Sequence, residues 1–185
     1  MMLDEKPSVI AVVGLSGSGK STLLRDVGAR IDVNIVSASQ LIRDAAFRDD
    51  DSRSGSETAR LSDTTDMQTV LIDAMKAYRA SIVGPILLDA HVLIDKDDRL
   101  DLIAPVVFAG LGVSKIVHLV VPPDILAERR LDDSKRDRPK RSVAELKAQQ
   151  ETSRRHARLI AQTIGGQYTE VSGTEPDIVQ RIVPV

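Results

Sequence analysis

Ser8 to Leu23 reads SVIAVVGLSGSGKSTL, an apolar run from Val9 to Val13 followed at once by Gly14, Leu15, Ser16, Gly17, Ser18, Gly19, Lys20 and Ser21. The second half fits G-x-x-x-x-G-K-[ST], a phosphate-binding loop between a strand and a helix. Glycines let the backbone turn tightly and aim successive N–H groups at phosphate oxygens, and a helix opening near Lys20 adds the positive end of its dipole. In that frame Lys20 reaches the β- and γ-phosphates of a nucleotide and Ser21 supplies an oxygen to Mg²⁺. Ser16, Ser18 and Thr22 belong to the loop and its first helical turn. A plain Gly/Ser turn is the competing reading. The β-type run before it, the helical Ser21 to Arg30 after it and every fixed letter favour the phosphate loop.

A chain of 185 residues is long enough for one well-buried domain and short for two. With no cysteine, disulfides and thiolate zinc sites are excluded. The segment MMLDEKPS lacks the apolar run of a secretory leader, and no apolar stretch approaches a membrane span, so a cytoplasmic protein is expected. The net charge of −2 is unevenly spread: acids prevail between Asp44 and Asp66, whereas Arg129 to Arg158 is rich in arginine and lysine. A local arginine cluster on a mildly acidic chain suits a compact anion better than a polyanion. Aromatic content of 2% and the absence of tryptophan argue against stacking surfaces for nucleic acid.

Working outward from the loop, Val33 to Val36 reads as a second strand, and SASQLIRDAAF opens a helix near Ser39. Arg43 lies one turn beyond Ser39, so both can face one cavity. RDDDSRSGSE is polar and without period, a mobile loop or the end of a helix, with Gly55 as the break. Ser62 to Ala80 places Met67, Val70, Leu71, Ala74, Met75 and Tyr78 at helical spacing. Ile86 to Leu88 is a buried strand ending in Asp89, where a carboxylate would stand beside the Mg²⁺ shell. Asp95 to Asp101 reads as a charged turn, Leu102 to Leu111 as a short apolar helix containing Pro105, and Lys115 to Val121 as a fourth strand. Asp124 caps the helix ILAERRL. DDSKRDRPKR has no apolar anchors, and Pro139 stops regular helix, which implies a small lid over about 132–141. Ser142 and Glu145 form a capping box for a helix to about Ile164, Gln167 to Val171 is a fifth strand, and Thr174 starts a terminal helix. Strands alternating with helices imply an α/β fold, a five-stranded parallel sheet covered on both faces, with ligand at the strands' C-terminal ends.

Beyond the loop, four stretches carry a family resemblance: SASQLIR (Ser37 to Arg43), ETARLSDTTDMQTVLIDA, LLDAH (Leu87 to His91), and PDILAERRLDDSKRDRP continuing into QQETSR. Together they make the chain resemble the adenylate kinases, in particular the archaeal-type members of the P-loop nucleoside monophosphate kinase fold, from Val9 to about Gly173. The resemblance implies transfer of the γ-phosphoryl group of MgATP to AMP, with 37–80 as the acceptor-binding segment. It implies that Gly14 to Ser21 hold ATP, that Ser37 and Arg43 hold the acceptor phosphate, and that Asp89 contacts the Mg²⁺ water shell. Arg129, Arg136 and Arg138, with Arg154 as a further candidate, would surround the transferred group. The archaeal-type relatives also suggest a homo-oligomer, with Ile103 to Leu111 as core or interface. Where that family carries an acid and a glycine after the second strand, this chain has Gln40 and Ser39.

The residues bear on the acceptor independently. A phosphate acceptor is already ionised near neutral pH, whereas an alcohol needs a base. Alcohol kinases commonly keep a carboxylate just after the second strand, and Ser37, Ala38, Ser39 and Gln40 stand there instead. That favours a phosphate acceptor, with Asp44 or Asp89 as the bases a hydroxyl acceptor would draft. A regulatory ATPase is a third reading, against which no N-K-x-D or D-x-x-G segment is found. His91, two residues past Asp89, either enters the site or makes a structural hydrogen bond. His118 reads as a satisfied core or edge residue and His156 as a helix-surface residue.

Overall fold

The computed structural model describes residues 7–50, 64–132, 139–173, 175 and 177–183, without side chains for 46–50 and 64–66. The acidic loop at 51–56, the ETARLSD part of the resemblance, Arg136 and Arg138 of the lid, and Thr174 lie outside them.

Strand β1 (Val9–Val13) is buried at every position because it lies mid-sheet with helices on both faces. Its period of two divides the core. Val9, Ala11 and Val13 face one layer, with Leu71 and Met75 of α3 (Thr64–Ala80), Val107 and Phe108 of α4 (Pro105–Gly110), and Ala157 and Ile160 of α6 (Val143–Thr163). Ile10 and Val12 face the other, with Leu23, Leu24 and Val27 of α1 (Lys20–Gly28) and Ile178 and Ile182 of α7 (Ile178–Ile182). The remaining strands of the sheet are β2 (Asn34–Ser37), β3 (Ile86–Asp89), β6 (Val113–Val120) and β7 (Gln167–Ser172). All pairings are parallel, in the order β2-β3-β1-β6-β7. After α1 the chain crosses to the edge strand β2, and returns through α2 (Ala38–Asp50) and α3 to insert β3 beside β1. The order therefore reverses between β1 and β3, and a crevice opens above their C-terminal ends.

Two expectations are corrected. The stretch read as a charged turn is an antiparallel hairpin, β4 (Leu93–Asp95) and β5 (Leu100–Leu102), turning through Lys96 and Arg99. Its charges hid it: Lys96 and Arg99 both pair with Asp101 of the hairpin itself, so a polar run needs no solvated loop. Secondly, α4 starts at Pro105 rather than near Leu102, because proline suits a first helical position and Leu102 is already used in β5. Val107, Phe108 and Leu111 of that region are core, and Val106 faces outward. The capping box at Ser142 and Glu145 forms as expected. No helix among the described residues is long and apolar enough to cross a membrane.

His118, in the middle of β6, is fully buried, with Nε2 at 2.9 Å from Ser153 Oγ of α6. Burial, outweighing the attraction of Glu170, pulls its pKa from 6.5 to about 4. The unfolded chain takes up this proton below about pH 6.5 and the folded chain only near 4, so protonation favours unfolding. The contribution to stability is complete above pH 6.5 and is expected to fall by about 1.4 kcal/mol per pH unit on the way down to 4. Urea unfolding of the parent and of His118→Gln over that range checks it. The variant should lose this part of the slope; an unchanged slope would refute the assignment. His156, expected at the helix surface, is half-buried and its Nε2 lies 2.7 Å from Ile103 O, tying α6 to the segment before α4.

Candidate active site

The phosphate loop occupies the turn from β1 into α1, and its glycines are used. Gly14, Gly17 and Gly19 have φ of 152°, 89° and 92°, and Gly19 caps α1 in the left-handed region. Ser18 N–H closes the loop on Leu15 O at 3.1 Å. Lys20 is 6% exposed, and its Nζ donates to the carbonyls of Gly14 at 3.0 Å and Leu15 at 3.3 Å. The ammonium is thereby folded over the loop whose phosphate it would contact.

Parallel register builds the opposite wall. Asp89 is level with Val12 of β1 and with Ser37 of β2, so all three reach the same end of the sheet. Ser21 Oγ donates to Asp89 Oδ2 at 2.9 Å, although 68 residues separate them. A hydroxyl and a carboxylate oxygen side by side are the hard donors that a Mg²⁺ ion and its water shell take, so the residues present fit that ion. Ser37 Oγ lies 2.9 Å from Ser39 Oγ, and Arg43 donates to Gln40 Oε1 at 2.7 Å. These groups meet in one cavity of about 610 Å³, lined by Ser16, Gly17, Gly19, Lys20, Ser21 and Thr22 on the loop side. Across from them stand Ser37, Ser39, Arg43, Asp89, His91 and Arg129. His91 thus opens onto the cavity. It also lines a neighbouring one of about 230 Å³ under the hairpin.

Gly14 and Ser18 lie beneath this surface, shaping it rather than lining it: Ser18 is buried, and a Cβ on Gly14 would strike the Leu119 carbonyl. Arg129, near the end of α5 (Pro123–Asp132), enters the cavity and donates to Ser18 O at 3.1 Å. Arg154 is not brought to the cavity. It sits on the side of α6 that faces β7, where its Nε donates to Glu170 at 2.7 Å and its Nη1 to Glu151 at 2.5 Å. Glu170, which burial alone would push up, is held below the usual carboxylate range by Arg154 and Tyr168, and the Arg154 guanidinium is raised in return. Sequence reasoning missed Arg130, whose Nε donates to Ser16 O at 2.9 Å. Its one signal was adjacency to Arg129, and nothing local distinguishes two neighbouring arginines at the end of a helix.

A protein-family model described as an AAA domain matches residues 13–147. No curated protein matches the chain. Among solved structures it is similar to a tunicamycin resistance protein of Deinococcus radiodurans, 15% identical over 87% of this chain and 97% of that one, with a TM-score of 0.54. TT1252 from Thermus thermophilus is 13% identical over 96% and 94% of the two chains, with a TM-score of 0.53. A gluconokinase from Sinorhizobium meliloti is 20% identical over 96% and 87%, at 0.49. At such identities the first two likenesses concern the fold alone. The family match spans the phosphate loop, the strands β2, β3 and β6 and the start of α6, and the chain accordingly belongs to the AAA domain family, with a P-loop NTPase-like fold.

Proposed function

We propose that this protein is a MgATP-dependent phosphotransferase whose acceptor is itself a phosphate, a nucleoside monophosphate and AMP first, so that ATP and AMP give two ADP. The observation that supports it is the make-up of the 610 Å³ cavity: a phosphate loop on one wall, Arg43 with two serines on the other, and Asp89 as the one carboxylate among its described lining residues. Asp89 is engaged by Ser21, which suits it to the metal rather than to proton abstraction. When bound, Mg²⁺ offsets charge on the β- and γ-phosphates. Lys20 holds the same oxygens, and Arg43 fixes the acceptor phosphate in line with the γ-phosphorus. An acceptor oxygen then forms the new P–O bond as the bond to the β,γ-bridging oxygen breaks, and the electron pair leaves on ADP. No proton need be removed from the acceptor. Arg129 adds charge at the transferred group, and Arg136 and Arg138 are proposed for the same purpose.

ADP formation measured with each nucleoside monophosphate in turn, and with gluconate as a hydroxyl acceptor, tests this reading. Activity with AMP and none with gluconate is expected. Activity confined to the hydroxyl acceptor would overturn it and would turn attention to Asp89 and His91 as bases. Arg43→Ala should raise KM for AMP roughly 10- to 100-fold, the cost of a lost charge-assisted hydrogen bond, with KM for ATP unchanged. A rise in KM for ATP alone would remove Arg43 from the acceptor wall.

A further inference from the structure

Arg130 supports the phosphate loop from below. Its Nε holds Ser16 O at 2.9 Å, and its Cγ lies 3.2 Å from where a Cβ on Gly17 would stand. Its Nη1 is 3.4 Å from Asp95 Oδ2, at the end of β4. The other oxygen of Asp95 accepts from Arg141 Nε at 3.2 Å and Nη2 at 3.0 Å. Arg141 is anchored in turn on the carbonyls of Lys96 at 2.7 Å and Asp97 at 3.2 Å. The side chains of Arg130 and Asp95 are only 8% and 10% exposed, so water screens their attraction weakly.

We propose that Asp95 is a positioning residue for nucleotide binding, acting on the phosphate loop through Arg130. The peptide unit explains how. Ser16 C=O and Gly17 N–H belong to one planar trans peptide and point to opposite sides. A guanidinium that holds the Ser16 carbonyl downward therefore aims the Gly17 N–H upward, and Gly17 lines the cavity. Arg129 does the same to the Ser18–Gly19 peptide through Ser18 O. Asp95 helps to draw Arg130 into place. Without that carboxylate Arg130 and Arg141 would face each other as like charges, and Arg130 would leave Ser16. The hairpin that separates β3 from α4 is thus a bracket for the loop. This inference rests on the phosphate-loop half of the proposed function and is independent of the acceptor.

Calorimetric titration of the folded full chain with MgADP tests it through a double-mutant cycle. Asp95→Asn and Arg130→Lys are each expected to weaken MgADP about tenfold, and the double variant by no more than the worse single one, because both break one relay. A scaffold role for the hairpin alone would lower the melting temperature without moving the affinity of the folded protein. Parent-like affinity in Asp95→Asn, or two effects that multiply in full, would overturn the proposal. Should Asp95→Asn fail to fold, Asp95→Glu keeps the charge and displaces it by one methylene. It should still bind MgADP at least about threefold more weakly, and parent-like binding there would be equally fatal. A parent that binds MgADP but shows no AMP-dependent turnover would sink the acceptor reading and leave this one standing. A parent that does not bind MgADP would sink both.

Discussion

Lys20→Ala is expected to lower AMP-dependent turnover by about 10²- to 10³-fold while leaving the protein folded. The lysine is almost fully buried, with its ammonium on the Gly14 and Leu15 carbonyls. A charge held there before nucleotide arrives needs little reorganisation as negative charge builds on the transferred group, and the enclosed site weakens its screening. Arg129 cannot replace it, because it approaches from α5 and is engaged at Ser18 O. The loss should fall mainly on kcat, measured in single turnover with saturating MgATP, with a smaller rise in KM for ATP. Turnover within tenfold of the parent would mean that the phosphates lie elsewhere in the cavity. Circular dichroism should be unchanged, since Lys20 lies in the first turn of α1 and alanine suits a helix there.

Gly14→Ala should damage both stability and nucleotide binding. A Cβ at this residue would lie 2.7 Å from Leu119 O and 3.2 Å from Ser18 Oγ, on a backbone with φ +152°. The obstacle at Leu119 is backbone in β6, which pairs with both β1 and β7, so it cannot swing aside as a side chain would. Overpacking and an unfavourable φ together should cost about 2–4 kcal/mol. Because the strain sits where β1 enters the loop, MgADP affinity should fall with it. Gly173→Ala is the control, having nothing among the described residues within 4 Å of its would-be Cβ, and it should be nearly neutral. Equal unfolding midpoints for the two variants would contradict this account.

Much of the fold was legible because its signals are local. The run Val9 to Val13 is too apolar for an exposed strand, and the glycines after it suit the positive φ values found at Gly14, Gly17 and Gly19. Capping at Ser142 likewise depends on four consecutive residues. The β4–β5 hairpin escaped because its signature is cross-strand ion pairing. In sequence, Lys96, Arg99 and Asp101 look like any solvated polar run. His156 escaped similarly: helical spacing places it on a face, but the Ile103 carbonyl that meets that face lies 53 residues away.

The site divides along the same line. By itself the sequence determined that a phosphate loop follows a buried strand and that a carboxylate ends another. It also determined that helices cover a parallel sheet, since backbone conformation, glycine freedom and apolar period act over a few residues. Only the tertiary structure decided which charges meet. Strand order and register brought Asp89 against Ser21 and level with Ser37, turned Arg154 onto Glu170, and placed Asp95 between Arg130 and Arg141. A carboxylate attracts every arginine alike, and the choice among them follows from which backbone elements pack close enough to exclude water from the pair.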